Sequence, residues 1–390
     1  MPWSETTPMK ERLRFVKDYR RGLFGMRELC AHYGVSRKTG YKWLARFAEA
    51  GVAGLADRSR APQTCPHKVQ GELAEQIEAA RRRHPTWGPE KLLVLLKGQA
   101  PKTAWPAAST VGALLKRAGL VAGRRRRPHP GHPGPGQTPM DGPNAVWTAD
   151  FKGEFKTRDG EYCYPLTVED GYSRYLLGCQ ALLATRHELA QPVFERLFRE
   201  YGLPVVIRTD NGAPFATQAI CRLSRLHVWW LKLGIRPELI EPAHPQQNGR
   251  HERMHRTLKS EATRPPAGNA AGQQRRFNRF QAEYNDLRPH AALGQVVPAA
   301  LYRPSPRPYP RRLPEIEYPA HYEVRRVSRN GGIRWQKGWV NVSHVLAEEN
   351  IGLEEVADGL WAVYFGPLRL GRFDERELRL SGAYAYNQPE

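Results

Sequence analysis

Asp150 in V-W-T-A-D-F-K-G, Asp210 in V-V-I-R-T-D-N-G-A-P-F and Glu252 in H-P-Q-Q-N-G-R-H-E-R-M-H constrain this chain more than any other feature. The two aspartates end β-patterned apolar runs, and the glutamate lies one helical turn into a segment opened by Asn248-Gly249. Neighbouring strands and a helix start would bring the three carboxylates together, which requires a mixed α/β core. Such a triad suits Mg2+ or Mn2+, hard ions that take carboxylate oxygens and complete their shell with water and phosphate. Two such ions about 3.5–4 Å apart can activate an attacking oxygen and stabilise a leaving one at phosphorus. The bland alternative is that each carboxylate is solvated or caps a helix, as most of the 39 Asp and Glu residues do.

The combination overturns that alternative. The three segments, with Y-P-L-T-V-E-D-G-Y-S-R-Y, S-R-L-H-V-W-W-L-K-L-G-I and Y-N-D-L-R-P-H-A-A-L-G, resemble in order the signatures of the retroviral-integrase-like DDE transposases of bacterial insertion sequences. The resemblance implies an RNase H-like core and two Mg2+ (or Mn2+) ions held by Asp150, Asp210 and Glu252. It also implies DNA cleavage and strand transfer. Asp159 in R-D-G and Asp170 in D-G-Y-S-R sit in hairpin-turn chemistry and read as structural. At 100° per residue Glu252, His255, Arg256 and Lys259 share a helix face, where a carboxylate beside cations is otherwise an i,i+4 salt bridge. The resemblance implies instead that Arg256 and Lys259, with Asn248 in the polar loop of His244, Gln246 and Gln247, meet the transposon end.

Charge agrees with a nucleic-acid partner. The chain of 390 residues is 40% hydrophobic, enough for several cores, and carries a formal charge of +21. Met1 to Pro143 holds 26 Lys and Arg against 11 acids, a net of +15, so the remainder contributes only +6. A basic excess ahead of the core attracts DNA by releasing counterions; RNA or an anionic membrane are the alternatives such a bias leaves open. No apolar run approaches the roughly 20 residues needed to span a bilayer, and no signal peptide opens the chain, so neither a membrane nor export is expected. Five cysteines, odd in number and without C-x-x-C spacing, read as reduced thiols of a cytoplasmic protein. Cys30 with His32 is too isolated to make the zinc module that opens retroviral integrases.

The expected architecture is multidomain: an N-terminal all-α tandem helix-turn-helix, a central α/β RNase H-like mixed sheet and a small C-terminal all-β barrel. M-R-E-L-C-A-H-Y-G-V-S-R-K-T-G-Y-K-W-L-A-R-F reads as a helix, a turn at Gly34 and a second helix capped by Ser36, within a domain over 1–60. Val35, Trp43, Leu44 and Phe47 are expected inside. That leaves Arg37, Lys38 and Lys42 near the helix start, where this motif meets the major groove. Gly40 costs about 1 kcal/mol relative to Ala in a helix and allows close packing. A second helix-turn-helix or winged-helix-like unit is expected over 61–123, with Trp87 in its core and a capped helix ending at Gly119. The linker over 124–143 opens with Arg124, Arg125, Arg126 and Arg127, expected to track phosphates or to keep an exposed segment soluble.

The core, over 144–304, reads β-β-β-α-β-α-β-α: strands at Val146 to Phe155, Tyr162 to Val168, Tyr175 to Ala181 and Val205 to Arg208, helices at Thr185 to Tyr201 and Gln218 to Leu233. Trp229 and Trp230 are expected in the interior. A proline-rich linker over 305–314 leads to the barrel over 315–382, whose Arg325, Arg326, Arg329, Arg334 and Lys337 suggest a DNA platform or, among the barrel's many acids, a solvated face. The functional expectation is a transposase acting on terminal inverted repeats and target DNA, at least a dimer on DNA. An RNase H-like metal-dependent nuclease and a DNA-binding repressor with an inactive core are the alternatives. Tandem end-binding modules and the cationic face behind Glu252 favour joining over degradation.

Overall fold

Thr7 opens the first helix: its hydroxyl accepts the Lys10 N–H and Pro8 follows at a position where no amide hydrogen is needed. The result is α1 (Pro8–Arg20) in a computed structural model that describes residues 6–60, 69, 71–121, 137–241 and 245–381. The chain divides into two compact units, Met1–Lys68 and Val69–Glu390. In the first, α2 (Met26–His32) turns at Gly34, φ +62°, into α3 (Arg37–Ala50), whose cap Ser36 accepts the Thr39 N–H. Phe15, Val16, Leu29, Cys30, Trp43 and Leu55 form its core, with Val35, Leu44 and Phe47 packed against them. Gly40 is buried where a Cβ would lie 2.8 Å from Cys30 Sγ and 2.9 Å from Phe15 Cζ, so the glycine lets α3 cross its neighbours closely.

The second unit begins with α4 (Gly71–Arg83), α5 (Pro89–Gln99) and α6 (Ala108–Arg117) around Ile77, Trp87, Leu92, Val111 and Leu115. Trp87 is interior as expected. Trp105 packs on the same cluster and donates to the Ala100 carbonyl. The expected side-chain cap on α6 is missing, because Ala107 precedes it, while Gly119 ends the turn at φ +69°.

A six-stranded mixed sheet follows. β1 (Val146–Phe151), β2 (Phe155–Lys156), β3 (Tyr162–Asp170) and β4 (Leu176–Leu182) make an antiparallel meander. β5 (Val206–Thr209) and β6 (Arg236–Leu239) add in parallel, giving the order β2-β3-β1-β5-β6 with β4 on β3. α7 (His187–Tyr201) and α8 (Arg225–Lys232) cover one face through Trp147, Leu166, Phe194, Phe198, Ile207 and Trp230. α9 (Gly249–Glu261) and α10 (Ala270–Ala282) cover the other through Leu176, Cys179, Met254, Leu258, Phe277 and Phe280. The period-2 alternation of the strands supplies both faces of this three-layer core.

Two expected boundaries move by several residues, and one expected closure is missing. Strand one ends at Phe151, where Gly153 at φ +81° turns the chain before β2 pairs separately with β3. The helix expected from Gln218 starts only at Arg225: Cys221 and Arg222 take φ +52° and +55°, and Ser224 caps by accepting the His227 N–H. The barrel does not close. β7 (Glu323–Arg326), β10 (Asn350–Ala357), β11 (Leu360–Phe365), β12 (Leu368–Asp374) and β13 (Leu380–Ser381) form an open antiparallel sheet. β8 (Gly332–Trp335) and β9 (Gly338–Asn341) pair only with each other. The physical reason is packing: the ribbon buries Ile333, Trp335 and Val340 in a core shared with the sheet's Leu353, Val363 and Phe373 and with Val228 and Leu231 of α8. Its apolar side is satisfied by that layer, so no edge-to-edge pairing is required.

Candidate active site

β1 and β5 are parallel neighbours with Ala149 opposite Thr209, so Asp150, the next residue of β1, comes beside Asp210, the first residue past β5. Glu252 stands in the first turn of α9, which packs against β1. Burial raises the Asp150 carboxyl to about 7, and the charges of Asp210 and Glu252 push in the same direction against the Phe151 N–H and Lys152. Burial also raises Asp210, with the Gly212 N–H opposing. Two half-desolvated carboxylates that repel each other favour either a proton or a cation between them.

The residues present fit a divalent cation. The donors are carboxylate oxygens, and Asn248 adds a buried Oδ1 that has no hydrogen-bond partner among the described residues. Its amide nitrogen lies 3.5 Å from Asp150 Oδ2. Buried polar groups are normally paired, so an orphaned acceptor beside a buried carboxylate is consistent with an absent positive ligand.

His251 escaped the sequence reading, and His255 was read only as part of the Glu252 face. His251 is fully buried, and His255, expected to share the outward face of Glu252, is only 6% exposed and turned toward the sheet. Thr167 Oγ1 lies 2.7 Å from Nε2 of both rings and donates to the Asp150 carbonyl oxygen at 3.0 Å. Thr148 Oγ1 lies 2.8 Å from His251 Nδ1, and Glu169 Oε2 lies 3.8 Å from it. His255 Nδ1 faces Asp150 Oδ2 at 3.7 Å. Burial lowers His251 to about 3 and lowers His255 as well, so both rings are neutral and these carboxylate contacts are not ion pairs. One ligand atom from each of Asp150, His251 and His255 lies within 4.8 Å of the others. The His-x-x-x-His spacing was visible in the sequence, and i,i+4 places both rings on one face.

Glu252, Arg256 and Lys259 are exposed along α9. Among the described residues the ion pair made by α9 joins Glu261 to Arg288, and none joins Glu252 to Arg256 or Lys259. Lys152 is lowered by burial and then by Lys259, with Arg264 adding to this cationic cluster beside Asp150. In the N-terminal unit Arg37, Lys38 and Lys42 are exposed at the start of α3, and the Lys42 ammonium sits 4.4 Å from the Trp43 ring centre. Arg124, Arg125, Arg126 and Arg127 lie outside the described residues, as does His244.

Comparison with known proteins adds the family context. Residues 141–245 and 233–298 match models of an integrase core domain, 11–63 match a helix-turn-helix domain, and 39–115 match a homeodomain-like domain. The chain is 34% identical over 122 residues to the Gag-Pol polyprotein of baboon endogenous virus, a match covering 31% of this chain and 7% of that protein. It therefore spans a small fraction of that polyprotein. It is 25% identical over 254 residues to the insertion element IS476 39.2 kDa protein of Xanthomonas euvesicatoria, covering 64% of this chain and 69% of that one. The HTLV-2 integrase catalytic core domain in complex with magnesium aligns with a TM-score of 0.34 at 16% identity, over 42% of this chain and 99% of that one.

Proposed function

We propose that this chain, a member of the integrase superfamily by its core domain, is a DNA transposase that binds the terminal inverted repeats of an insertion sequence and transfers its strands into target DNA. The adjacent-strand placement of Asp150 and Asp210, with Glu252 on α9, carries the reading. The three carboxylates would hold two divalent ions, Mg2+ or Mn2+, which would supply Lewis-acid activation of the attacking oxygen and stabilisation of the leaving one.

The protein's own residues do the rest. Burial of Asp150 and Asp210 keeps water from competing at the site, and Lys152, Arg256 and Lys259 hold the phosphate backbone beside it. Asn248 positions the Asp150 carboxylate. Hydrolysis exposes a 3′-OH at the element's end. That oxygen then bonds to a target phosphorus as the target's own P–O3′ bond breaks, with no covalent protein intermediate. Arg37, Lys38 and Lys42 on α3 contact the end in its major groove, and Arg124, Arg125, Arg126 and Arg127 track phosphates between modules. The domain limits 1–60, 61–123, 124–143, 144–304, 305–314 and 315–382 are part of the same proposal, as is a dimer or larger assembly on DNA. No described helix is long and apolar enough to cross a membrane.

The test is isosteric. Asp150→Asn, Asp210→Asn and Glu252→Gln should each abolish cleavage and joining while end binding stays near the wild-type level, because the amide keeps the size and removes the charge. Strand transfer retained by any of the three, at matched folding, removes that residue from the site.

A further inference from the structure

The hydrogen-bond inventory behind Asp150 decides which nitrogen is free. Thr167 has a single hydroxyl hydrogen, given to the Asp150 carbonyl at 3.0 Å, so the His251 and His255 Nε2 atoms, each 2.7 Å from its oxygen, are the donors to it. A neutral ring protonated at Nε2 carries its lone pair on Nδ1. In His251 that nitrogen lies 2.8 Å from the Thr148 hydroxyl and accepts its hydrogen in preference to the Glu169 carbonyl, which stands farther off at 3.3 Å, so both its nitrogens are used. In His255 it faces Asp150 Oδ2 at 3.7 Å, too long for a hydrogen bond and acceptor against acceptor. Asn248 Oδ1 is a further buried acceptor without a described partner, on a residue whose amide nitrogen approaches the same carboxylate oxygen.

Two ligands about 2.1 Å from one ion stand about 3 to 4 Å apart, the separation of His255 Nδ1 and Asp150 Oδ2. We propose that His255 Nδ1 is a nitrogen ligand of the ion held by Asp150, so that the site is a mixed nitrogen–oxygen centre that binds Mn2+ or Co2+ in preference to Mg2+. His251 is not a ligand despite its nearness: with Thr148 and Thr167 it fixes the sheet-side network that sets the His255 tautomer, as outer partners of metal-bound imidazoles do. Magnesium takes oxygen donors and keeps its waters, whereas imidazole suits transition ions, so one nitrogen shifts the balance between them.

The inference rests on the metal reading of Asp150, and one spectrum separates the two. Mn2+ is added to the full-length protein and its electron spin echo is recorded for 14N modulation, with 15N-histidine protein as the isotopic check. Nitrogen modulation in the wild type that disappears in His255→Gln, together with Mn2+ binding at least about tenfold tighter than Mg2+ that narrows in the same variant, is the expected result. Bound Mn2+ without nitrogen modulation overturns the His255 ligand and leaves the carboxylate site standing. Modulation that persists in folded His255→Gln also overturns it. Mn2+ that does not bind the wild type at all overturns both. The wild-type spectrum alone decides if the variant does not fold.

Discussion

Single residues show where chemistry, rather than sequence pattern, selects the side chain. Gly40 is a weak helix former, and replacement by Ala gains about 1 kcal/mol of helix propensity. The added methyl would press on Cys30 and Phe15 inside 3 Å, and overpacking of that kind costs about 1–3 kcal/mol. Gly40→Ala should therefore lower the stability of the N-terminal unit in a denaturant melt; unchanged or higher stability would show that the contact relaxes freely. Glu169 gives a pH test. Burial raises its folded carboxyl from 4.5 to about 8, so its contribution is full below about 4.5 and is lost as pH rises toward 8. Glu169→Gln should flatten that decline, and melts from pH 4 to 9 that remain parallel to the wild type would contradict the assignment. At this scale the carboxylate positions were legible because strand ends and helix starts announce themselves in the pattern. The inward turn of His255 was not, because 100° stepping places it at the border of the α9 face and only packing against Thr167 decides its side.

Among the elements, α9 separates two sets of residues: its inner face holds His251, Met254, His255 and Leu258, and its outer face Glu252, Arg256 and Lys259. Arg256→Glu and Lys259→Glu should impair end joining far more than folding or metal binding. A reversed charge repels the backbone that must deliver the 3′ oxygen. The Gln variants should recover in part at lower salt and the Glu variants hardly at all, read as joining across a salt series with thermal melts as control. Joining at the wild-type level by the Glu variants would leave these cations as mere surface charge. The meander and the presence of α7 and α8 were readable from alternation and apolar spacing, but the start of α8 was not, since Cys221 and Arg222 take positive φ ahead of the Ser224 cap. The C-terminal sheet was readable as strands but not as an open sheet, since closure depends on which surface covers the apolar side. Here the β8–β9 ribbon and α8 cover it, and no local pattern encodes that choice.

At the scale of the whole molecule, the segment Y-N-D-L-R-P-H, recognised in the sequence but given no role, joins the second helical module to the mixed-sheet core. Arg288 bonds Glu261 at 2.6 Å and lies over the Trp87 ring at 5.8 Å. Thr86 bonds Glu261, His84 meets Glu283 at 2.8 Å, and Gln295 meets Glu90 at 2.8 Å. Asn285 caps the seam from the core side by accepting the Leu176 N–H. Such long-range pairings lie outside what periodicity can show, because they join residues separated by the whole core. They make the α4–α6 module and the sheet one unit, so on the proposed function DNA bound by that module would be held at a fixed offset from Asp150. The measurement that tests this account most directly is incubation of the full-length protein with a labelled terminal repeat, a target plasmid and Mg2+ or Mn2+. The account predicts a joined product that carries the label in the plasmid and is absent with Asp150→Asn. Hydrolysis without joining, or end binding with neither, would contradict it.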